Sequence, residues 1–152
     1  MVEILNEYFT ALVSTIEAHG GIITQFQGDA ILAVFNVPRP LEDHEKRAVE
    51  AARSIRKVVA EETFGGNRLR CRIGVNTGSV VAGNVGANGR MNYTVHGDAV
   101  NLAARLEQLN KEYGTEILVS DTTASRVKAE GLRKLAVVQV RGRSQPVTLY
   151  TL

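Results

Sequence analysis

The sequence predicts an α+β domain, and three observations carry that reading. Apolar residues recur at spacings of three and four over three long stretches, the pattern of amphipathic helices. Between them lie short runs rich in Val, Ile, Leu and aromatic residues, bounded by Gly-Asp, Thr-Gly and Pro-containing segments, which read as strands. Helices interspersed with such strands can cover only one face of a sheet, which favours α+β over a doubly wound parallel sheet.

Taken in order, Val2 to His19 is the first helix, with Leu5, Tyr8, Phe9, Leu12, Val13 and Ile16 on its apolar stripe and Gly20-Gly21 as its stop. Met1 leads into this pattern without a cap or a turn, so further residues are expected upstream. Ile22 to Phe26 and Ala30 to Phe35 form a hairpin through Gln27-Gly28-Asp29, where turn chemistry alone accounts for the aspartate. Pro38 and Pro40 mark a loop. Glu42 to Glu62 is a second helix, with Ala48, Ala51, Ala52, Ile55, Val58 and Val59 towards the core and a solvated charged face. Phe64-Gly65-Gly66-Asn67 is a loop.

Leu69 to Asn76 and Ser79 to Val85 read as a second hairpin turned at Thr77-Gly78. Gly86-Ala87-Asn88-Gly89 is an extended loop into a strand from Met91 to Val95. A turn at Gly97 then opens a third helix, with Asp98 as its N-cap. A short strand (Glu116 to Val119), a short helix (Asp121 to about Lys128) and two strands (Leu135 to Val140, Val147 to Thr151) complete the chain.

At 152 residues and 44% hydrophobic, the chain can bury one core, so residues 1–152 are read as one domain. No apolar run approaches the ~20 residues of a membrane span, and no basic segment followed by an apolar block opens the chain. Cys71 is the lone cysteine, which excludes an intrachain disulfide and reads as a small buried hydrophobe. These features point to a cytoplasmic protein with no membrane insertion of its own. The net charge of +2 comes without any basic run interleaved with aromatics, which argues against nucleic-acid binding. His19, His44 and His96 have no metal-ligand spacing, and Gly83-Asn-Val-Gly86 lacks the lysine and hydroxyl of a phosphate loop. Asn92-Tyr-Thr94 has the form of a glycosylation acceptor but falls in a strand.

The chemistry concentrates between Tyr93 and Arg105. In the third helix Asn101 and Arg105 are four residues apart and share a face, beside a core stripe of Ala99, Leu102, Leu106 and Leu109. An amide and a fixed cation at that spacing suit a sugar oxygen and a phosphate. Geometry alone also allows an ordinary surface pair. The order Tyr-Thr-Val-x-Gly-Asp-x-Val-Asn-x-Ala-x-Arg-Leu-Glu, however, resembles a signature of the class III nucleotidyl cyclases. His19-Gly-Gly-Ile-Ile-Thr-Gln-Phe-Gln-Gly-Asp-Ala-Ile-Leu-Ala-Val-Phe resembles that family's second metal-bearing hairpin. Arg72-Ile-Gly-Val-Asn-Thr-Gly-Ser-Val-Val-Ala-Gly-Asn-Val-Gly resembles its next hairpin, and Val140-Arg-Gly-Arg-Ser-Gln-Pro-Val its closing strand pair.

The resemblance implies a ferredoxin-like class III cyclase fold: a mostly antiparallel sheet with helices on one face, here N-terminally truncated. It implies conversion of ATP to 3′,5′-cyclic AMP and pyrophosphate with two Mg²⁺ or Mn²⁺ ions. By the match of motifs, Asp29 is one metal-binding aspartate, Asn101 orients the ribose, and Arg105 stabilises charge on the α-phosphate. Arg143 faces the terminal phosphates, where the family often has lysine. A homodimer with composite active sites is implied, with Gly86 to Arg90 as a contact arm. Three departures stand out. The other metal aspartate belongs to a strand upstream of the first helix, and this chain starts after it. Gln25 occupies the base-reading position that is lysine in adenylyl and glutamate in guanylyl cyclases. Thr94 occupies its partner position, as in one adenylyl subgroup, which leans towards ATP over GTP. The alternatives are a guanylate cyclase, a catalytically inactive homology domain acting as a dimerising or nucleotide-sensing module, and an unrelated ferredoxin-like binding module.

Overall fold

The computed structural model describes residues 2–87, 90–128 and 130–152. The chain runs α1 (Val2–Ala18), β1 (Ile22–Gln27), β2 (Ala30–Val34), α2 (His44–Glu61), β3 (Ile73–Val75), β4 (Val81–Ala87), β5 (Arg90–His96), α3 (Asp98–Tyr113), β6 (Ile117–Ser120), α4 (Asp121–Ala124), β7 (Arg133–Val138) and β8 (Val147–Thr151). The strands form a β1-β2 hairpin, a four-stranded sheet in the order β3-β6-β8-β7, and a β4-β5 hairpin. Four of the five strand pairings are antiparallel, and β3 with β6 is the parallel one. The α+β class and the mostly antiparallel pairing are therefore those of the structure.

Three apolar clusters hold these parts together. Leu12 and Ile16 of α1, Ile55 and Val59 of α2 and Cys71 pack on Ile23, Ile31 and Ala33 of the first hairpin. Val49 and Ala52 of α2 pack on Val75, Ile117 and Val119. Leu102, Leu106 and Leu109 of α3 pack on Leu118, Val140, Val147 and Leu149. Alternate residues of β6 thus serve different clusters, because successive side chains of a strand point to opposite faces. That explains the unbroken burial of Ile117 to Ser120: α2 covers one face of this strand and α3 the other, so the expectation that the helices lie on one face of the sheet does not hold at β6.

Two expectations from the sequence are corrected. The hairpin predicted from Leu69 to Asn76 and Ser79 to Val85 does not form. Only Ile73–Val75 is strand, it pairs in parallel with β6, and the hairpin partner of β4 is β5. Parallel neighbours need a crossover connection, and here the β4-β5 hairpin plus α3 supply it. A turn signal such as Thr77-Gly78 cannot reveal that, since the partner lies more than 40 residues away. Nor are Gly86 and Ala87 loop; β4 continues through them to pair with Met91 and Arg90, while residues 88–89 of the predicted contact arm lie outside the described residues.

Candidate active site

The site is built on α3. Gly97 precedes the helix with φ +144°, a conformation that glycine adopts freely and side-chain-bearing residues rarely do. It is Gly97, not Asp98, that occupies the N-cap position; its carbonyl accepts from Val100 N at 3.1 Å and Asn101 N at 3.2 Å. Asp98 is the first helical residue, and the hydrogen bond described for its carboxylate goes to Arg143.

Two buried or half-buried asparagines dock the helix. Asn76, just past β3, donates from Nδ2 to Ala99 O at 2.9 Å and accepts from Ser120 Oγ at 2.7 Å. Asn110, fully buried near the other end of α3, donates from Nδ2 to Ile73 O at 3.0 Å and accepts from Thr115 Oγ1 at 2.7 Å. Between them, β3 approaches so closely that a Cβ on Gly74 would collide with the α3 backbone at Ala103 and Glu107. With its leucine stripe in the core, α3 turns Asn101 and Arg105 to the exposed side.

The turn after β7 meets that face. Arg143 N donates to Val140 O at 3.1 Å, and Gln139 Nε2 donates to Arg143 O at 2.6 Å, which sets the turn. Asp98, Asn101, Leu102, Arg105, Val140, Arg141 and Arg143 then line one open cavity. Arg143 Nη1 donates to Asp98 Oδ2. Arg105 has only a loose exposed contact with Glu112, 3.9 Å away. Three guanidinium groups against one carboxylate give the cavity a clear preference for anions, and the planar Arg fork matches phosphate.

The other predicted residues lie elsewhere. Asp29 is exposed at the β1-β2 turn, and Gln25 is exposed on β1. Thr94 is on β5, which lies alongside β1, and its Oγ1 donates to Gly83 O at 3.4 Å. The structure therefore brings Asn101, Arg105 and Arg143 together and leaves Asp29, Gln25 and Thr94 as a second group outside that cavity. Burial, Cys71 and the nearby Asp29 carboxylate push the Tyr8 hydroxyl up to about 12. Among the described residues no three His, Cys, Asp or Glu side chains cluster to hold a metal ion, so Asp29 by itself does not fit a two-ion site. Sequence reasoning missed the docking roles of Asn76 and Asn110 and the pairing of Asp98. Arg141 was also missed, although it stands two residues from Arg143 in the same basic turn.

All of residues 1–152 match the family model of the adenylate and guanylate cyclase catalytic domain. The chain belongs to that family. This cyclase domain is 36% identical over 156 residues to adenylate cyclase 1 of Rhizobium meliloti, an alignment that covers 99% of the chain and 24% of that protein. The chain spans about a quarter of the length of the curated relatives it matches. Among solved structures, the adenylyl cyclase CyaB from P. aeruginosa superposes with a TM-score of 0.81 at 32% identity, covering 99% of this chain and 80% of that one. The guanylate cyclase domain of RhGC from Catenaria anguillulae, in complex with GTP, gives 0.86 at 28% identity, covering 100% and 83%. No described helix of the cyclase domain is long and apolar enough to cross a membrane.

Proposed function

We propose that this domain is an adenylate cyclase, converting ATP to 3′,5′-cyclic AMP and pyrophosphate for signalling. The observation that carries the proposal is the convergence of Asn101, Arg105 and Arg143 on one cationic cavity. In the reaction the ribose 3′-oxygen attacks the α-phosphorus, and the bond from that phosphorus to the pyrophosphate oxygen breaks. Arg105, whose described ion-pair contact is the loose one with Glu112, places its cation against the charge that develops on the α-phosphate. Asn101 can both donate to and accept from the ribose, which holds the 3′-oxygen in line. Arg143 takes up charge on the departing pyrophosphate.

Mg²⁺ or Mn²⁺ would activate the 3′-oxygen and neutralise phosphate charge. Asp29 offers one carboxylate, and the described residues do not complete the site around it. Because Asp29 and Gln25 stand outside the cavity, two copies arranged head to tail are the proposed unit, with Asp29 from one copy and Asn101 and Arg105 from the other. We place its action in the cytoplasm, which supplies ATP and keeps the buried Cys71 thiol reduced.

Thr94 favours adenine as the base to be read, and so ATP as substrate. GTP is the second reading, because Gln25 can donate as well as accept and so does not commit the pocket to adenine. The deciding experiment is a cyclase assay of the protein with Mn²⁺ and ATP or GTP, beside Arg105→Ala. Cyclic AMP from the parent, with a loss of roughly 10²–10³ in the variant, is expected. Cyclic GMP from GTP instead, or turnover unchanged in Arg105→Ala, overturns the assignment. Nucleotide binding without turnover would mark a sensing module.

A further inference from the structure

We propose that Asp98 is an electrostatic gate on the phosphate site. It holds Arg143 in an internal ion pair that an incoming polyphosphate must take over and that re-forms when pyrophosphate leaves. The inference rests on the anion-binding reading of the cavity given above.

Asp98 is not the N-cap of α3, a position that Gly97 holds. The one described partner of the Asp98 carboxylate is Nη1 of Arg143, on the turn between β7 and β8, 45 residues away in sequence. Among the residues lining the cavity, Asp98 is the sole anion. Its side chain is 71% exposed while that of Arg143 is 28% exposed, so the carboxylate stands on the solvent side of the pair. A ligand arriving from solvent meets the negative charge first.

The Arg143 guanidinium is only partly used by this contact. Its Nε is buried and has no hydrogen-bond partner among the described residues, so the pair with Asp98 leaves donor capacity unspent. An exposed ion pair contributes little to stability, and exchanging it for a multiply charged phosphate is therefore cheap. The cost appears in affinity. While Asp98 holds Arg143, bound phosphates must break that pair before they can use the guanidinium, and at an effective dielectric between that of water and that of a protein surface the attraction given up amounts to ~10-fold in binding. Weak holding serves turnover: Asp98 competes for Arg143 after the bond breaks and helps expel pyrophosphate.

The test is titration calorimetry with inorganic pyrophosphate at low, fixed ionic strength. The proteins are the parent, Asp98→Asn, Arg143→Ala, the double variant and Arg105→Ala. Asparagine keeps an oxygen that can accept from Arg143, so the fold is retained, and thermal unfolding of each variant checks it. Asp98→Asn is expected to bind pyrophosphate ~10-fold more tightly and Arg143→Ala more weakly. Most of the Asn gain should vanish in the Arg143→Ala background, because the pair is then gone. Steady-state product inhibition by pyrophosphate should strengthen in Asp98→Asn in parallel. Unchanged or weaker binding in Asp98→Asn overturns the gate, as does a gain that survives in full without Arg143. If Arg105→Ala and Arg143→Ala weaken binding while Asp98→Asn changes nothing, the gate falls and the anion site stands. If no protein in the set binds pyrophosphate, the site reading falls and the gate with it.

Discussion

Replacing Asn110 by alanine should loosen the helix that carries the site. The amide sits fully buried at the junction of α3 and β3, where Nδ2 donates to Ile73 O and Oδ1 accepts from Thr115 Oγ1. Its contacts with Leu106 O and Glu107 O are within the helix and add little, since the ladder already uses those carbonyls. Two cross-connecting hydrogen bonds at about 1 kcal/mol each are lost, and although Ile73 O keeps its place in the β3-β6 ladder, the space vacated by the buried amide adds up to ~1–2 kcal/mol. The sum is about 2–4 kcal/mol, or a drop of roughly 5–15 °C in Tm for a domain of this size. Urea unfolding at neutral pH gives the free energy directly, and the slope should not change. Asn110→Asp should be worse than alanine, since it sets a carboxylate against the Ile73 carbonyl. A loss below about 0.5 kcal/mol in the alanine variant, or an aspartate variant as stable as the parent, would refute the claim that this amide docks α3.

Other expectations follow from the same structure. Gly74→Ala should cost ~1–3 kcal/mol or more, because the new methyl meets α3 backbone rather than a side chain that can swing away; an unchanged Tm would mean that α3 can retreat without loss. Mixing Asp29→Ala with Asn101→Ala should restore about a quarter of parental turnover if composite sites form in a randomly exchanging dimer, and no recovery would argue against shared sites. Burial, with help from Glu116, pushes the Cys71 thiol from 9.0 to about 11, while burial, Cys71 and Asp29 push Tyr8 from 10.0 to about 12. Both groups hold their protons more tightly folded than unfolded. Their contribution to stability is thus complete below pH 9 and is lost as pH rises through the folded values, between about 9 and 12. Chemical denaturation from pH 8 to 11.5 should show that decline, and Tyr8→Phe and Cys71→Ala should each flatten it; an identical slope in Tyr8→Phe would be evidence against the assignment.

Local pattern made much of this molecule readable. The period of three and four in α1, α2 and α3 survives in the structure because their apolar stripes are what the core buries, and the leucines of α3 are among its least exposed residues. The β1-β2 hairpin was readable because its turn and both arms are contiguous in sequence. Helical spacing set Asn101 and Arg105 on one face, but it was the order of residues from Tyr93 to Glu107, resembling a nucleotidyl cyclase signature, that set them apart from an ordinary surface pair. The β3-β4 hairpin was misread because a strand's partner is chosen by sheet topology. Ile73–Val75 finds β6 after a long crossover that no turn signal announces.

The sequence by itself determined the class of fold, the helix that carries the site, and the amide and cation on its exposed face. It did so because these depend on residues within a few positions of one another. The motif resemblance assigned Arg143 to the same site, but only the tertiary structure decided that Asp98 holds it there, that Arg141 joins it, and that Asp29 and Gln25 stand apart from the cavity. Those relations join residues tens of positions apart, and they follow from how the β7-β8 turn and the first hairpin pack against α3 and β5 rather than from any local preference of the chain.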